Sequence, residues 1–187
     1  VLGHMVIRLG KRFGFKTLCV VRREEQVAEL KAAGADSAIW FDPNEHSLDQ
    51  FRAAVAAATG ASTDRSVIHS AIDCVGGTTG SAVVSVLGKN THMLVFGTLS
   101  GEPLTVPSRA LMTPGASITG FWLGNYMETL KLPAKLKLVR RVSGLIREGV
   151  LASEIGASFS LDEITAAVQT AETQGRGGKV LLNIATD

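Results

Sequence analysis

The stretch SVIHSAIDCVGG, Ser66 to Gly77, decides the fold. Six of its first ten residues are apolar, with no regular polar/apolar alternation, and a glycine pair ends it. A strand that is apolar on both faces sits inside a parallel sheet covered by helices on either side, whereas an antiparallel strand with one wet face would alternate. The glycines stop the strand, so whatever follows must turn.

The same grammar extends outward from that strand. Downstream, Thr91 to Phe96 is a second apolar run, ending in Gly97-Thr98-Leu99-Ser100-Gly101, and Ser117 to Trp122 is a third. Upstream, Lys16 to Arg22 and Ser37 to Phe41 read as strands, and Lys179 to Ile184 as a last one. Between them lie helical patterns. Leu2, Val6, Leu9 and Phe13 recur at helical spacing before Gly14. Glu24 to Ala33 carries acidic residues in its first turn and Gly34 at its end. Ser47-x-x-Gln50 forms a capping box that opens a helix to about Thr59, and Ser160-x-x-Glu163 forms another. Gly80 to Leu87 reads as helical, and Lys135 to Arg147 places Leu136, Val139, Val142 and Ile146 on one face.

Strands and helices that alternate in this way define an α/β, doubly wound parallel sheet of the Rossmann type. Ligands of such sheets sit at the carboxyl ends of the strands. Those ends are Arg22-Arg23, Cys74 to Gly77, Gly97 to Gly101 and Phe121 to Leu123. The first helix has no strand in front of it, although the turn after the first strand normally holds a pyrophosphate. Without it the Arg22 strand and the Asp73 strand would each keep an unpaired edge. The expectation is therefore of a fragment whose first strand lies upstream, with residues 1–155 forming the dinucleotide-binding domain and 156–187 a segment of a second domain. The alternative is a protein that starts at Val1 and folds otherwise.

Composition removes several function classes. The chain has 187 residues, 45% hydrophobic, with a net charge of +2. No basic stripe with interleaved aromatics suggests nucleic acid, and no run of apolar residues is long enough to suggest a membrane span. Cys19 and Cys74 lie in apolar runs, form no C-x-x-C pair and read as buried small hydrophobes in a reducing compartment, cytoplasmic or mitochondrial. His4, His46, His69 and His92 are scattered without metal-ligand spacing, so no metal site is expected.

The ligand class follows from two positions. Gly3 stands where the last glycine of a dinucleotide-binding turn would be, ahead of a helix whose free N–H groups suit a pyrophosphate; a glycine there serves equally well as a close-packing residue. Arg22 stands 19 residues further on. An NAD enzyme places a carboxylate at the end of its second strand to bind the ribose hydroxyls. Arg22 and Arg23 occupy that place, and forked guanidinium donors suit a 2′-phosphate. NADP(H) is the expected cofactor. Glu24 is the dissenting residue: aimed at the ribose, it would favour NAD. The two arginines also read as a solvated basic pair beside Glu24 and Glu25.

With MVIRLGKRFGFKTLCVVRR, AIDCVGG, LVFGTLSG, GFWLGNY and RGGKVLLNI in that order, the chain resembles the zinc-independent medium-chain dehydrogenase/reductases, especially 2-enoyl thioester reductases and quinone reductases. The resemblance covers nearly the whole chain. It implies Gly3 and His4 at the pyrophosphate, Arg22 and Arg23 at the 2′-phosphate, and Cys74, Val75 and Gly76 along the ribose and adenine. It also implies Gly97, Thr98 and Leu99 near the nicotinamide, Phe121, Trp122 and Leu123 flanking that ring, and Lys179 near a cofactor phosphate. The catalytic residues would lie in an N-terminal domain outside this sequence, so Tyr126 takes no catalytic role. The implied reaction is reduction of an activated C=C bond, with a 2-enoyl thioester as the small-molecule substrate. A quinone or alkenal is the alternative substrate, and a non-catalytic NADPH-binding module the alternative class. A methyltransferase is disfavoured by Arg22-Arg23 and the final Lys179 strand. The family also implies a homodimer through the sheet edge near Ser117 to Trp122.

Overall fold

A computed structural model describes residues 2–61, 67–173 and 177–184. Helix α1 (Leu2–Phe13) comes first. β1 (Leu18–Val21), α2 (Glu25–Ala32), β2 (Ser37–Trp40), α3 (Leu48–Thr59), β3 (Ser70–Asp73), α4 (Gly77–Val84), β4 (His92–Val95), α5 (Ser108–Met112), β5 (Ser117–Gly120) and α6 (Leu123–Thr129) lead on to α7 (Leu132–Arg147). β6 (Ile155–Ser160), a 3-10 turn at Leu161–Glu163, α8 (Ile164–Glu172) and β7 (Lys179–Asn183) follow. Two compact units divide the chain: Thr17–Lys135, and Val1–Lys16 with Leu136–Asp187.

In the unit Thr17–Lys135 every strand pair is parallel, as continuous apolar strands require. β1 pairs with β2, and β3, β4 and β5 form a separate ladder in that order. β1 and β3 share no ladder, so among the described residues each keeps one edge unpaired. The register is level: Asp73 lies opposite Val95, and Val95 opposite Gly120. The turns after β3, β4 and β5 therefore emerge side by side at one end of the sheet.

Two apolar clusters hold this unit. Phe51 and Val55 of α3 pack on Ile39 of β2, Phe41 and Ala82 of α4, and the Phe41 and Phe51 rings stand 4.7 Å apart. Val84, Leu87 and Met93 anchor the second cluster, backed by Val95, Leu104 and Ile118. Each fully buried side chain of this size contributes about 1.5–3 kcal/mol. Thr17 and Asp36 add a polar tie, the Thr17 amide donating to Asp36 Oδ2 at 2.8 Å.

In the other unit, α1 carries a ladder on one face at four-residue spacing. His4 Nδ1 lies 3.1 Å from Glu154 Oε1, Arg8 donates to the carbonyls of Val150 and Ala152, and Arg12 Nε lies 2.9 Å from Glu148. β6 and β7 run parallel, with a register shift at Gly156. Gly156 lies against the Gly177 carbonyl and has no room for a side chain.

Several boundaries differ from the sequence reading. β3 is paired only over Ser70–Asp73; Val67 to His69 lie outside the ladder, and Ser66 lies outside the described residues. α4 starts at Gly77, so Gly80 sits within its first turns rather than opening it. The Ser47–Gln50 capping box forms, whereas the Ser160–Glu163 box opens a 3-10 turn before α8. α5, α6 and β6 were not expected. Cys19, in β1, and Cys74, in the turn after β3, are half-buried rather than buried. Leu136, Val139, Val142 and Ile146 share a face of α7 as the spacing predicts, yet all four are exposed.

Candidate functional site

The site begins with the turns at the carboxyl ends of β3 and β4. After β3 the chain turns through Cys74, Val75 and Gly76 into α4. Asp73, 6% exposed, accepts hydrogen bonds at Oδ1 from the amides of Val75 (2.8 Å) and Gly76 (3.1 Å). Gly76 adopts φ 69, ψ −153, a region that side chains exclude. Burial first, and then the neighbouring Asp73 carboxylate, push the Cys74 thiol above its ordinary range. It therefore stays protonated and is a poor nucleophile.

The turn after β4 is stitched to that one. The amides of Leu99 and Ser100 donate to the carbonyls of Cys74 (3.2 Å) and Val75 (2.9 Å), and Phe96 donates to the carbonyl of Asp73. A Cβ on Gly97 would stand 2.5 Å from the Cys74 carbonyl oxygen, and one on Gly77 2.7 Å from Ser100 Oγ. Both turns thus need glycine at their contact. Their outer surface is bare: Leu99 is 80% exposed.

β5 ends alongside. The Phe121 amide continues the ladder to the Val95 carbonyl at 2.7 Å. Trp122, 72% exposed, is the N-cap of α6. One turn into that helix Tyr126 packs its ring 5.6 Å from Phe121, in keeping with its reading as a packing residue after that strand.

At the end of β1, Arg22 and Arg23 are both exposed. Arg23 Nε lies 3.4 Å from Glu25, whereas the Arg22 guanidinium has no ion pair among the described residues. The Arg22 carbonyl accepts from Trp40 Nε1 at 3.2 Å. Glu24 is exposed as well, and its side chain makes no capping bond at the start of α2.

Gly3, His4 and Lys179 belong to the other unit. A side chain at Gly3 would meet nothing within 4 Å. Glu154 links the other two: its carboxylate takes His4, and its carbonyl accepts the Lys179 amide at 2.7 Å. The hydrogen bond with His4, more than any other influence, holds the Glu154 carboxyl below its usual range. The Lys179 side chain is exposed.

A family model for the zinc-binding dehydrogenases matches residues 1–139, and the chain belongs to that family. Among particular relatives, the mitochondrial enoyl-[acyl-carrier-protein] reductase of Caenorhabditis elegans is 26% identical over 175 residues, which is 91% of this chain and 47% of the relative. The enzyme of the same name from Dictyostelium discoideum is 27% identical over 188 residues, 98% of this chain and 51% of its own length. A mycobacterial quinone oxidoreductase of known structure superposes with a TM-score of 0.79 at 21% identity, over 96% of this chain and 52% of its own. At that identity the likeness is one of fold, and it is the likeness of a Rossmann-type domain. The chain spans about half the length of the curated relatives it matches. The family's description names zinc; among the described residues no three His, Cys, Asp or Glu side chains gather as metal ligands.

Proposed function

We propose that this chain is the cofactor-binding part of an NADP(H)-dependent oxidoreductase that reduces an activated C=C bond, with a 2-enoyl thioester as substrate. One observation carries the cofactor: Arg22, at the carboxyl end of β1, presents an exposed guanidinium with no ion pair among the described residues. A forked cation at that position suits a 2′-phosphate. The glycine-only backbone at Gly76 and the level carboxyl ends of β3, β4 and β5 fit a flat, extended ligand laid across the sheet edge. A mycobacterial protein of this fold is complexed with NADPH, and an enoyl thioester reductase variant of this fold with NADP and crotonyl-CoA.

The nicotinamide, when bound, supplies a hydride for the β-carbon while a proton reaches the α-carbon. The part left to this chain is placement. The stitched turns at 74–77 and 97–101 offer a fixed backbone surface, and Phe121 and Trp122 border it with apolar area. Gly3, His4 and Lys179 are assigned to the cofactor phosphates by resemblance, and residues 156–187 to a segment returning to a catalytic domain. By the same analogy a homodimer forms through β5, whose outer edge is unpaired among the described residues. A quinone is the second substrate reading, favoured by the fold likeness to the mycobacterial quinone oxidoreductase.

Calorimetric titration of the full-length protein with NADPH and NADH tests the reading. Tighter binding of NADPH supports it. Tighter binding of NADH shifts the ribose contact to Glu24, and no binding of either by folded protein removes the oxidoreductase assignment.

A further inference from the structure

We propose that Asp73 is the positioning residue of the cofactor-facing sheet end, its buried carboxylate fixing the turn after β3 and, through that turn, the turn after β4. The proposal rests on the reading that these turns face the cofactor. The sequence alone reads Asp73 as a cap on the nearby turn amides; the proposal extends that cap to the second turn.

Three observations carry it. The carboxylate is buried, and its oxygens are turned to its own chain, with the Val75 amide at Oδ1 and the Gly76 amide within reach of both Oδ1 (3.1 Å) and Oδ2 (3.2 Å). Hydrogen bonds to an ionised acceptor are shorter and stronger than neutral ones, so two amides on one buried carboxylate form a rigid corner. Secondly, Gly80 packs against Asp73 Oδ2 so closely that a Cβ there would collide with it, and with Leu104 Cδ1 at 2.9 Å. The spacing D-x-x-G-G-x-x-G, Asp73 to Gly80, thus has one purpose: the glycine pair makes the turn, and the last glycine makes room for the carboxylate. Thirdly, the carbonyls that the corner presents are the ones bonded by the second turn. Cys74 and Val75 accept from Leu99 and Ser100, so displacement of the first turn moves the second.

The experiment compares wild type, Asp73→Ala, Asp73→Asn and Gly80→Ala in the full-length protein. Amide hydrogen exchange is measured without cofactor, and affinity for NADPH and NADH by calorimetry. Asp73→Ala is expected to speed exchange at Val75 and Gly76 and, together with them, at Leu99 and Ser100. It is also expected to weaken NADPH and NADH alike, by about tenfold or more, with their ratio unchanged. Asp73→Asn keeps an oxygen for both amides and should stay within about threefold of wild type. Gly80→Ala displaces the carboxylate from behind and should reproduce the Ala phenotype, which keeps the proposal testable if Asp73→Ala does not fold. Unchanged protection at Leu99 and Ser100 overturns the proposal, as does a loss confined to NADPH. If wild type binds neither cofactor, the cofactor reading falls, while the exchange data still decide whether Asp73 couples the two turns.

Discussion

The two ends of the candidate site are built on opposite principles. After β3 and β4 the surface is backbone, held by a buried carboxylate, cross-turn hydrogen bonds and glycines that admit no side chain. After β1 the surface is two long, exposed cationic side chains, one paired with Glu25 and the other not. The first arrangement supplies shape and is intolerant of change. The second supplies charge, is screened by salt, and depends on side chains that must be ordered when a ligand arrives. A site with both can hold the common body of a dinucleotide rigidly and choose between its variants by charge.

Breaking the rigid end should produce the largest effect. Gly97→Ala puts a Cβ into the Cys74 backbone, which cannot swing aside as a side chain would. We expect a loss of about 3 kcal/mol in urea unfolding; wild-type stability would mean the turns are not locked. A smaller effect comes at the charged end. Arg22→Ala should cost about 1.5–3 kcal/mol of NADPH affinity, with NADH little changed, because it removes a charge-assisted contact. Arg23→Ala should cost less, since Glu25 already shares that guanidinium. Equal losses for both nucleotides would return the arginines to the role of a solvated basic pair.

The smallest effect concerns the unit that contains α1. Glu154 is held below its ordinary range by His4. A carboxylate depressed in the folded state stabilises above its unfolded value, and that contribution is lost as pH falls through the folded one. Wild type should therefore exceed Glu154→Gln slightly in urea midpoint at neutral pH, and the two should converge in acid below the carboxylate range. A gap that persists at low pH would show that the pair acts by packing rather than by charge.

Much of the sheet was legible because each strand declares its own end. Apolar runs give way to Gly76-Gly77 and to Gly97, carboxyl ends that the structure aligns, and to Arg22-Arg23 at the end of β1. Strand lengths were less legible, since the run starts at Val67 while the ladder with β4 begins only at Ser70. α5 and α6 are five and seven residues long, too short for a 3.6-residue period to show. Gly80 was misread as a helix start because, of three nearby glycines, sequence alone does not tell which turns the chain and which makes room. The apolar stripe of α7 was visible, but periodicity reports a face and not what lies against it.

The two tryptophans give the site its own optical gauge. Trp40 anchors its indole N–H to the Arg22 carbonyl and stands edge-on to His46, while Trp122 lies open to water at the end of β5. If the proposed site holds, a ligand seated at the end of β5 would dry Trp122 and shift its emission to the blue. A ligand that only engages the arginines reaches Trp40 through the strand end it is tied to. Replacing either indole with phenylalanine separates the two signals, so the order in which a dinucleotide takes hold of the two ends can be timed by light from the protein itself.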